Sequence, residues 1–281
     1  MRTGQHSSCL RAFVAVFGIA LFASTPHASA QTAPLPAPFA EGDNGFLTRG
    51  DWLLSVAPMS SGDPRFSWSV RQRFDVDVAH YPRGRVNLFF DNEIVMGSER
   101  RSFDFNHGNT MFETSASGVL PGGVEASLVF HHVSRHLIDR PADRVVAWHT
   151  VAGRVEKPLA IGRSKVTATA EFHRVVQHTY VDYQWLSQFT GRFEQPFANH
   201  VRVFAGVSGG MVGVDPSVLD DFGKPLNRDR QSGGRVEAGV HLPSAKAALD
   251  LFLAYERRVD AYPLARVPLS WVEAGFRLSS P

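Results

Sequence analysis

His132 and Ser134 are the residues of this chain whose types and spacing could do chemistry. A histidine that takes the proton of a nearby serine hydroxyl turns a weak nucleophile into a competent one, provided the two side chains come within hydrogen-bond reach. On a β-strand, residues two apart share a face about 6.5 Å apart along the chain, a gap these side chains can close. The surrounding segment, Gly123 to Asp139 (GVEASLVFHHVSRHLID), reads as such a strand. Val124, Ala126, Leu128 and Phe130 fall on one face and Glu125, Ser127 and His131 on the other, while His132, Ser134 and His136 continue the apolar side. Nucleophilic attack by the serine oxygen is the chemistry the pair implies, and it depends on where that apolar face points.

The rest of the chain carries the same two-residue period. Phe74, Val76 and Val78 oppose Arg73, Asp75 and Asp77; Val201, Val203 and Val207 oppose His200, Arg202 and Ser208; Leu249, Leu251 and Leu253 oppose Asp250 and Ala254. Val272, Ala274, Phe276 and Leu278 oppose Trp271, Glu273, Gly275 and Arg277, and Gly50–Ala57 supplies a candidate strand ahead of Phe66. One apolar and one polar face per strand is the pattern of an antiparallel sheet. Tight breaks are expected at Tyr81–Gly84, Leu120–Gly123, Lys157-Pro158, Gln195-Pro196 and Pro243-Ser244. Longer polar connections span Met96–His107, Arg135–Asp143, Val214–Gly233 and Val259–Leu264, with Val175–Tyr180 short for its place in the series. Short turns alternating with long loops predict a single transmembrane antiparallel β-barrel of about twelve strands, with its termini at the turn end. The competing all-β reading is a soluble sandwich or lipocalin-like barrel, in which the aliphatic faces would line the core.

Composition agrees with export. Arg2 and Arg11, the apolar run Ala12–Ala23 and the small residues Ala28-Ser29-Ala30 form an expected signal peptide, residues 1–30, cleaved before Gln31. Residues 31–45 read as a flexible Pro- and Ala-rich periplasmic lead-in, and 46–281 as the barrel. The one cysteine, Cys9, lies before the apolar run, so the exported chain needs no disulfide framework. Removing the signal takes two of the 29 basic residues and none of the 27 acidic ones, which leaves a formally neutral chain. That balance gives no footprint for nucleic acid. No apolar run long enough for a spanning helix follows the signal.

The His-x-Ser pair in a barrel context resembles that of outer-membrane phospholipases and lipid A deacylases. The resemblance implies Ser134 as nucleophile, His132 as base and an active site on the outer wall near the outer leaflet. It also implies a polar third residue that orients the histidine, about twelve positions after the serine, where this chain has Val146; Asp139 and Asp143 are the substitutes at hand. His132-Val133-Ser134-Arg135-His136-Leu137-Ile138-Asp139 is further similar to a His-x-Ser-Ser-His-Leu-Gly-Asp motif of a bacterial outer-membrane barrel family of unassigned function. Asp63-Pro64-Arg65-Phe66 resembles that family's opening segment, and Tyr255–Asp260 with Trp271–Phe276 its closing hairpin. Arg135 stands where the family has its second serine and Ile138 where it has glycine.

Other chemistry is less favoured by the spacing. His131, His132 and His136 cannot chelate one ion from a regular strand, since neighbours point oppositely and partners four apart are about 13 Å distant; no metal or other cofactor is expected. Asp215, Asp220, Asp221, Arg228 and Arg230 read as a solvated external loop. Arg71, Arg73, Asp75 and Asp77 read as a structural ion-pair network inside the barrel. Trp68, Trp148, Trp185 and Trp271 are either interfacial aromatics or strand packing. The leading functional expectation is a non-enzymatic outer-membrane protein with outer-membrane lipid and the barrel-assembly machinery as partners. A lipid esterase or deacylase is the alternative and a narrow solute pore the third reading.

Overall fold

The computed structural model describes residues 35–39, 44–140, 144–218, 226 and 228–281. The expected signal, residues 1–30, and the loop acids Asp143, Asp220 and Asp221 lie outside them. Period-two sequence becomes twelve strands: β1 (Gly45–Ser60), β2 (Trp68–Tyr81), β3 (Gly84–Gly97), β4 (Asp104–Leu120), β5 (Val124–Leu137) and β6 (Val146–Ile161), then β7 (Ser164–Thr179), β8 (Tyr183–Ala198), β9 (Val201–Val214), β10 (Gln231–Pro243), β11 (Ala248–Arg258) and β12 (Leu269–Ser279). Each pairs antiparallel with its neighbour in the chain, and β1 closes on β12 from Leu53↔Ser279 to Ser60↔Val272. Closure leaves no edge strand, so the ladder hydrogen bonds are made all the way round.

Turn parity holds. The connections 82–83, 121–123, 162–163, 199–200 and 244–247 lie at one end, and 61–67, 98–103, 138–145, 180–182, 215–230 and 259–268 at the other. Gly122 and Gly123 turn the chain with φ of +80° and +71°, a region that disfavours side chains. Two expected breaks are not turns. Pro158 and Pro196 lie inside β6 and β8. Pro158 sits beyond the last β5–β6 pair, Glu125↔Glu156, where β6 has a partner on one side only, and Pro196 sits at a register shift with β9. Both are places where a missing N–H is tolerated. Likewise β5 runs on to Leu137, so Arg135 belongs to the strand and not to the following loop.

The faces exclude the soluble alternative. Phe74, Leu128, Phe172, Phe189, Leu251 and Leu253 are half or more exposed on the outer wall. Apolar area of this extent, continuous around a barrel, suits hydrocarbon and not water. Charge goes inward. Arg49 pairs with Asp75 (2.9 Å) and Asp77 (2.8 Å), Arg85 with Asp77 (3.3 Å) and Glu125 (2.9 Å), and Arg71 and Arg73 reach Asp91 at 3.6 and 3.5 Å. Arg154 bridges Glu113 and Glu171, and Arg277 meets Glu237. Arg258 and Glu93, both about 1% exposed, join β11 to β3 across the lumen through two hydrogen bonds of 2.6 and 3.1 Å.

Glu93 also accepts from Ser69 and Asn109, so it anchors four elements at once. Glu93→Ala takes one of two carboxylates from the buried Arg258 guanidinium, leaving Glu256, and removes the partner that Arg71 shares with it, and should cost about 3–5 kcal/mol. Arg101→Ala, which removes an exposed pair with Asp139, should cost about 0–1 kcal/mol. Denaturant unfolding of both variants from lipid vesicles measures the contrast.

Candidate functional site

Alternation along β5 decides where the motif lies. His131, Val133 and Arg135 are buried and point into the lumen, so His132, Ser134 and His136 between them point outward. The pair thus stands on the outer wall, three to five residues below the loop end of β5. Directly across β6 from His132 is His149, with ring centroids 4.5 Å apart. Among the described residues His132 Nδ1 finds no hydrogen-bond partner. A catalytic histidine needs a group at that nitrogen to fix its tautomer and steady the imidazolium that forms.

The candidates for that group are elsewhere. Asp139 is exposed on the loop, paired with Arg101 at 2.9 Å, and takes a positive φ of 53°. Asp143 lies outside the described residues. Val146, at the expected position of the third member, pairs with Arg135 and is buried on the lumen side. Any side chain at 146 therefore faces away from His132, whatever its polarity.

A polar stripe that sequence reading missed runs beside the pair. Gln72, Asn92, Thr110 and Ser134 are successive cross-strand partners on β2, β3, β4 and β5. Each is flanked by inward-pointing neighbours and so faces outward. Thr110 Oγ1 donates to Asn92 Oδ1 at 3.0 Å. Gln72, Asn92 and Thr110 are unremarkable in their own strands, and only register brings them into line with Ser134, which is why no local signal reveals them.

On the lumen side the same segment seals the barrel's loop end. Arg135 donates from Nε to Asn109 Oδ1 (2.9 Å) and from both Nη atoms to the carbonyls of Asp260 (2.5 Å) and Ala261 (2.6 Å). It pins the β11–β12 loop into the mouth. Arg65, tied to Asp63 at 2.6 Å, lies over the Tyr262 ring at 4.3 Å. Phe66 is buried, stacked on Trp271 at 5.5 Å and edge-on to His107 at 5.4 Å. Arg228 turns inward to Asp260 (2.9 Å) and Asp182 (3.4 Å), in contrast to the solvated loop expected for it. Burial lifts the Asp182 carboxyl above its ordinary range in spite of that arginine. Trp148 and Trp271 are buried in the lumen, so packing and not the interface accounts for them.

The three histidines are split. His131 faces the lumen with its ring 5.5 Å from that of His173, which bonds Thr150 and Glu171, whereas His132 is on the outer wall and His136 is exposed. Among the described residues no group of three or more His, Cys, Asp or Glu side chains is placed to hold a metal ion.

No protein-family model matches this chain, and no curated protein sequence matches it. Among solved structures it is similar to an outer membrane phospholipase from Salmonella typhi crystallised as a dimer with bound calcium. There the identity is 10%, the TM-score 0.48, and the match covers 87% of this chain and 94% of that one. It is also similar to LpxR from Salmonella typhimurium (10% identity, TM-score 0.46, 82% and 99% covered) and to the Acinetobacter baumannii outer membrane protein Omp33 (10%, 0.40, 84% and 99%). At these values the likeness says nothing of residue roles.

The Asp63–Arg65 lock gives a pH signature. Its hydrogen bond from Arg65 holds the Asp63 carboxyl below its ordinary value. A carboxyl so lowered stabilises fully above its unfolded pKa of about 3.9, and the contribution fades as pH falls through the lower folded value. The protection of the amides of residues 61–67, taken relative to the intrinsic exchange rate at each pH, should therefore fall below about pH 4, and Asp63→Asn should remove that dependence.

Proposed function

We propose that this chain is a non-enzymatic outer-membrane barrel whose outer-wall patch contacts lipid near the outer leaflet. The observation that carries the reading is the patch itself: Gln72, Asn92, Thr110 and Ser134 in register on four successive strands, with His132 and His149 beside them, on a wall that is mostly apolar and carries isolated polar side chains such as Thr114 and Arg174. Polar side chains on a lipid-facing surface find partners in head groups and not in acyl chains. Val146 on the lumen side, and no partner for His132 Nδ1 among the described residues, support a contact role over a catalytic one. An outer-membrane location follows from the same wall and from the expected signal peptide. The barrel-assembly machinery is its partner during insertion, with β12 as the closing strand.

A second reading, a lipid esterase or deacylase with Ser134 as nucleophile and His132 as base, is favoured by one observation, the placement of both residues on the outward face two positions apart. A solute pore is disfavoured by the ion pairs that cross the lumen and by the pinned β11–β12 loop. Purified protein incubated with phospholipid or lipid A vesicles should release no fatty acid above a blank, and Ser134→Ala should behave identically. Release that Ser134→Ala abolishes overturns the contact role and establishes the hydrolase.

A further inference from the structure

Leu35–Phe39, the sequence Leu-Pro-Ala-Pro-Phe, lies inside the turn end of the barrel, although its composition reads as a flexible lead-in. One residue is held from both sides: Ala37 N–H donates to Asp75 Oδ2 at 2.6 Å, and Ala37 C=O accepts from Arg85 Nη2 at 2.7 Å. Two residues on, Phe39 N–H donates to Glu125 Oε2 at 3.0 Å, and the Phe39 ring stacks on His80 at 5.0 Å and 12°. Asp75, Arg85, Glu125 and His80 are all nearly fully buried.

The receptor is organised around the segment. Arg85 also grips Glu125 at 2.9 and 3.0 Å, and Ser117 donates to the same carboxylate at 2.6 Å. Asn87 donates to both Asp75 (2.6 Å) and Asp77 (2.9 Å). These contacts hold the acceptors in place before any backbone N–H arrives. The segment fits them in return. Proline carries no N–H, so Pro36 and Pro38 remove the backbone donor that would otherwise precede each clamped one. They also pre-set an extended backbone, which lowers the entropy lost on docking. Above the segment lies a cavity of about 420 Å³, walled on one side by Leu35–Pro38 and elsewhere by charged and small polar residues such as Arg73, Glu156, Arg235 and Ser208. Away from the segment it is bounded by Arg71, Glu93 and Glu256, members of the ion-pair network that crosses the lumen.

We propose that Asp75, Arg85, Glu125 and His80 form a binding site for an extended, proline-interrupted peptide. In this chain the site's occupant is its own Leu35–Phe39, a plug that governs access from the turn end to the lumen chamber. The inference stands apart from the outer-wall reading, since it uses none of the same residues.

The test uses the full chain with Cys9→Ser and a single reporter, Ser208→Cys, on the chamber wall, probed with a membrane-impermeant maleimide. With the plug in place, labelling should be slow. Ala37→Pro, which deletes one N–H and leaves the barrel strands untouched, should accelerate it about tenfold or more, the factor that one hydrogen bond to a charged group is worth. Deleting Leu35–Phe39 should do the same, and a synthetic peptide of residues 31–43 added to the deleted barrel should restore slow labelling. Equal rates in the intact and deleted chains, with both barrels folded by their heat-modifiable gel migration, overturn the plug. Failure of the peptide to protect the deleted barrel overturns the binding site.

Discussion

Arg258 and Glu93 meet in the middle of the lumen, on strands separated by 165 positions in the chain, and each is about 1% exposed. At the level of this pair side chains fill the lumen, and both groups are cut off from bulk water. Charge on the inner face must therefore find opposite charge within a few ångströms or be lost to the fold. That one constraint organises the interior. Arg258 joins β11 to β3, Arg85 reaches Asp77 on β2 and Glu125 on β5, Arg154 joins β6 to Glu113 on β4 and Glu171 on β7, and Arg235 reaches Glu256 and Glu273 on the two strands that follow its own. Pairs of this kind fix which strand faces which across the lumen, a task the apolar outer wall cannot do, because hydrocarbon does not distinguish one leucine from another.

The same requirement explains the ends. Arg135 brings a guanidinium to the mouth, where among the described residues it has no ion-pair partner and the backbone carbonyls of Asp260 and Ala261 accept its hydrogen bonds. The β11–β12 loop is thereby drawn inward, and Tyr262 and Ala261 settle against Arg65, Phe66 and Trp271. Three stretches that sequence resemblance singled out separately, 63–66, 132–139 and the closing hairpin, thus meet in one assembly. At the turn end the excess is of the other sign: Asp75, Asp77 and Glu125 crowd around Arg49 and Arg85, and the spare acceptor capacity is met by the N–H groups of Ala37 and Phe39.

Strand number, strand faces and the inward placement of charge were legible in the sequence because the two-residue period is local: Leu128 and Phe130 announce their face without reference to any other strand. Turns were less so. Proline at 158 and 196 looks like a break, yet it is tolerated wherever the ladder loses a partner or slips, and pairing partners are not written in the strand itself. The candidate site divides along the same line. That His132 and Ser134 share the outward face follows from counting by twos, but that His149 lies opposite His132, that Val146 points the wrong way and that Asn92 and Thr110 align with Ser134 all depend on register between strands. The fate of Leu35–Phe39 was hidden for a different reason, since two prolines in five residues signal an extended segment and give no hint of what it lies against.

His131 and His132 are adjacent, yet a sheet one residue thick separates their environments. The wall therefore allows a single stretch of β5 to serve two ends with little cross-talk. Arg135 and Val133 tie the strand to the mouth and core from within, while the side chains of His132 and Ser134 point to the opposite face. Changing the outer pair alters what the membrane meets without disturbing the seal, and changing Arg135 loosens the seal without altering what the membrane meets. The motif is best understood as two half-motifs interleaved by the pleat, and that is why a similarity which quotes all eight residues in a row cannot by itself say which half a given barrel uses.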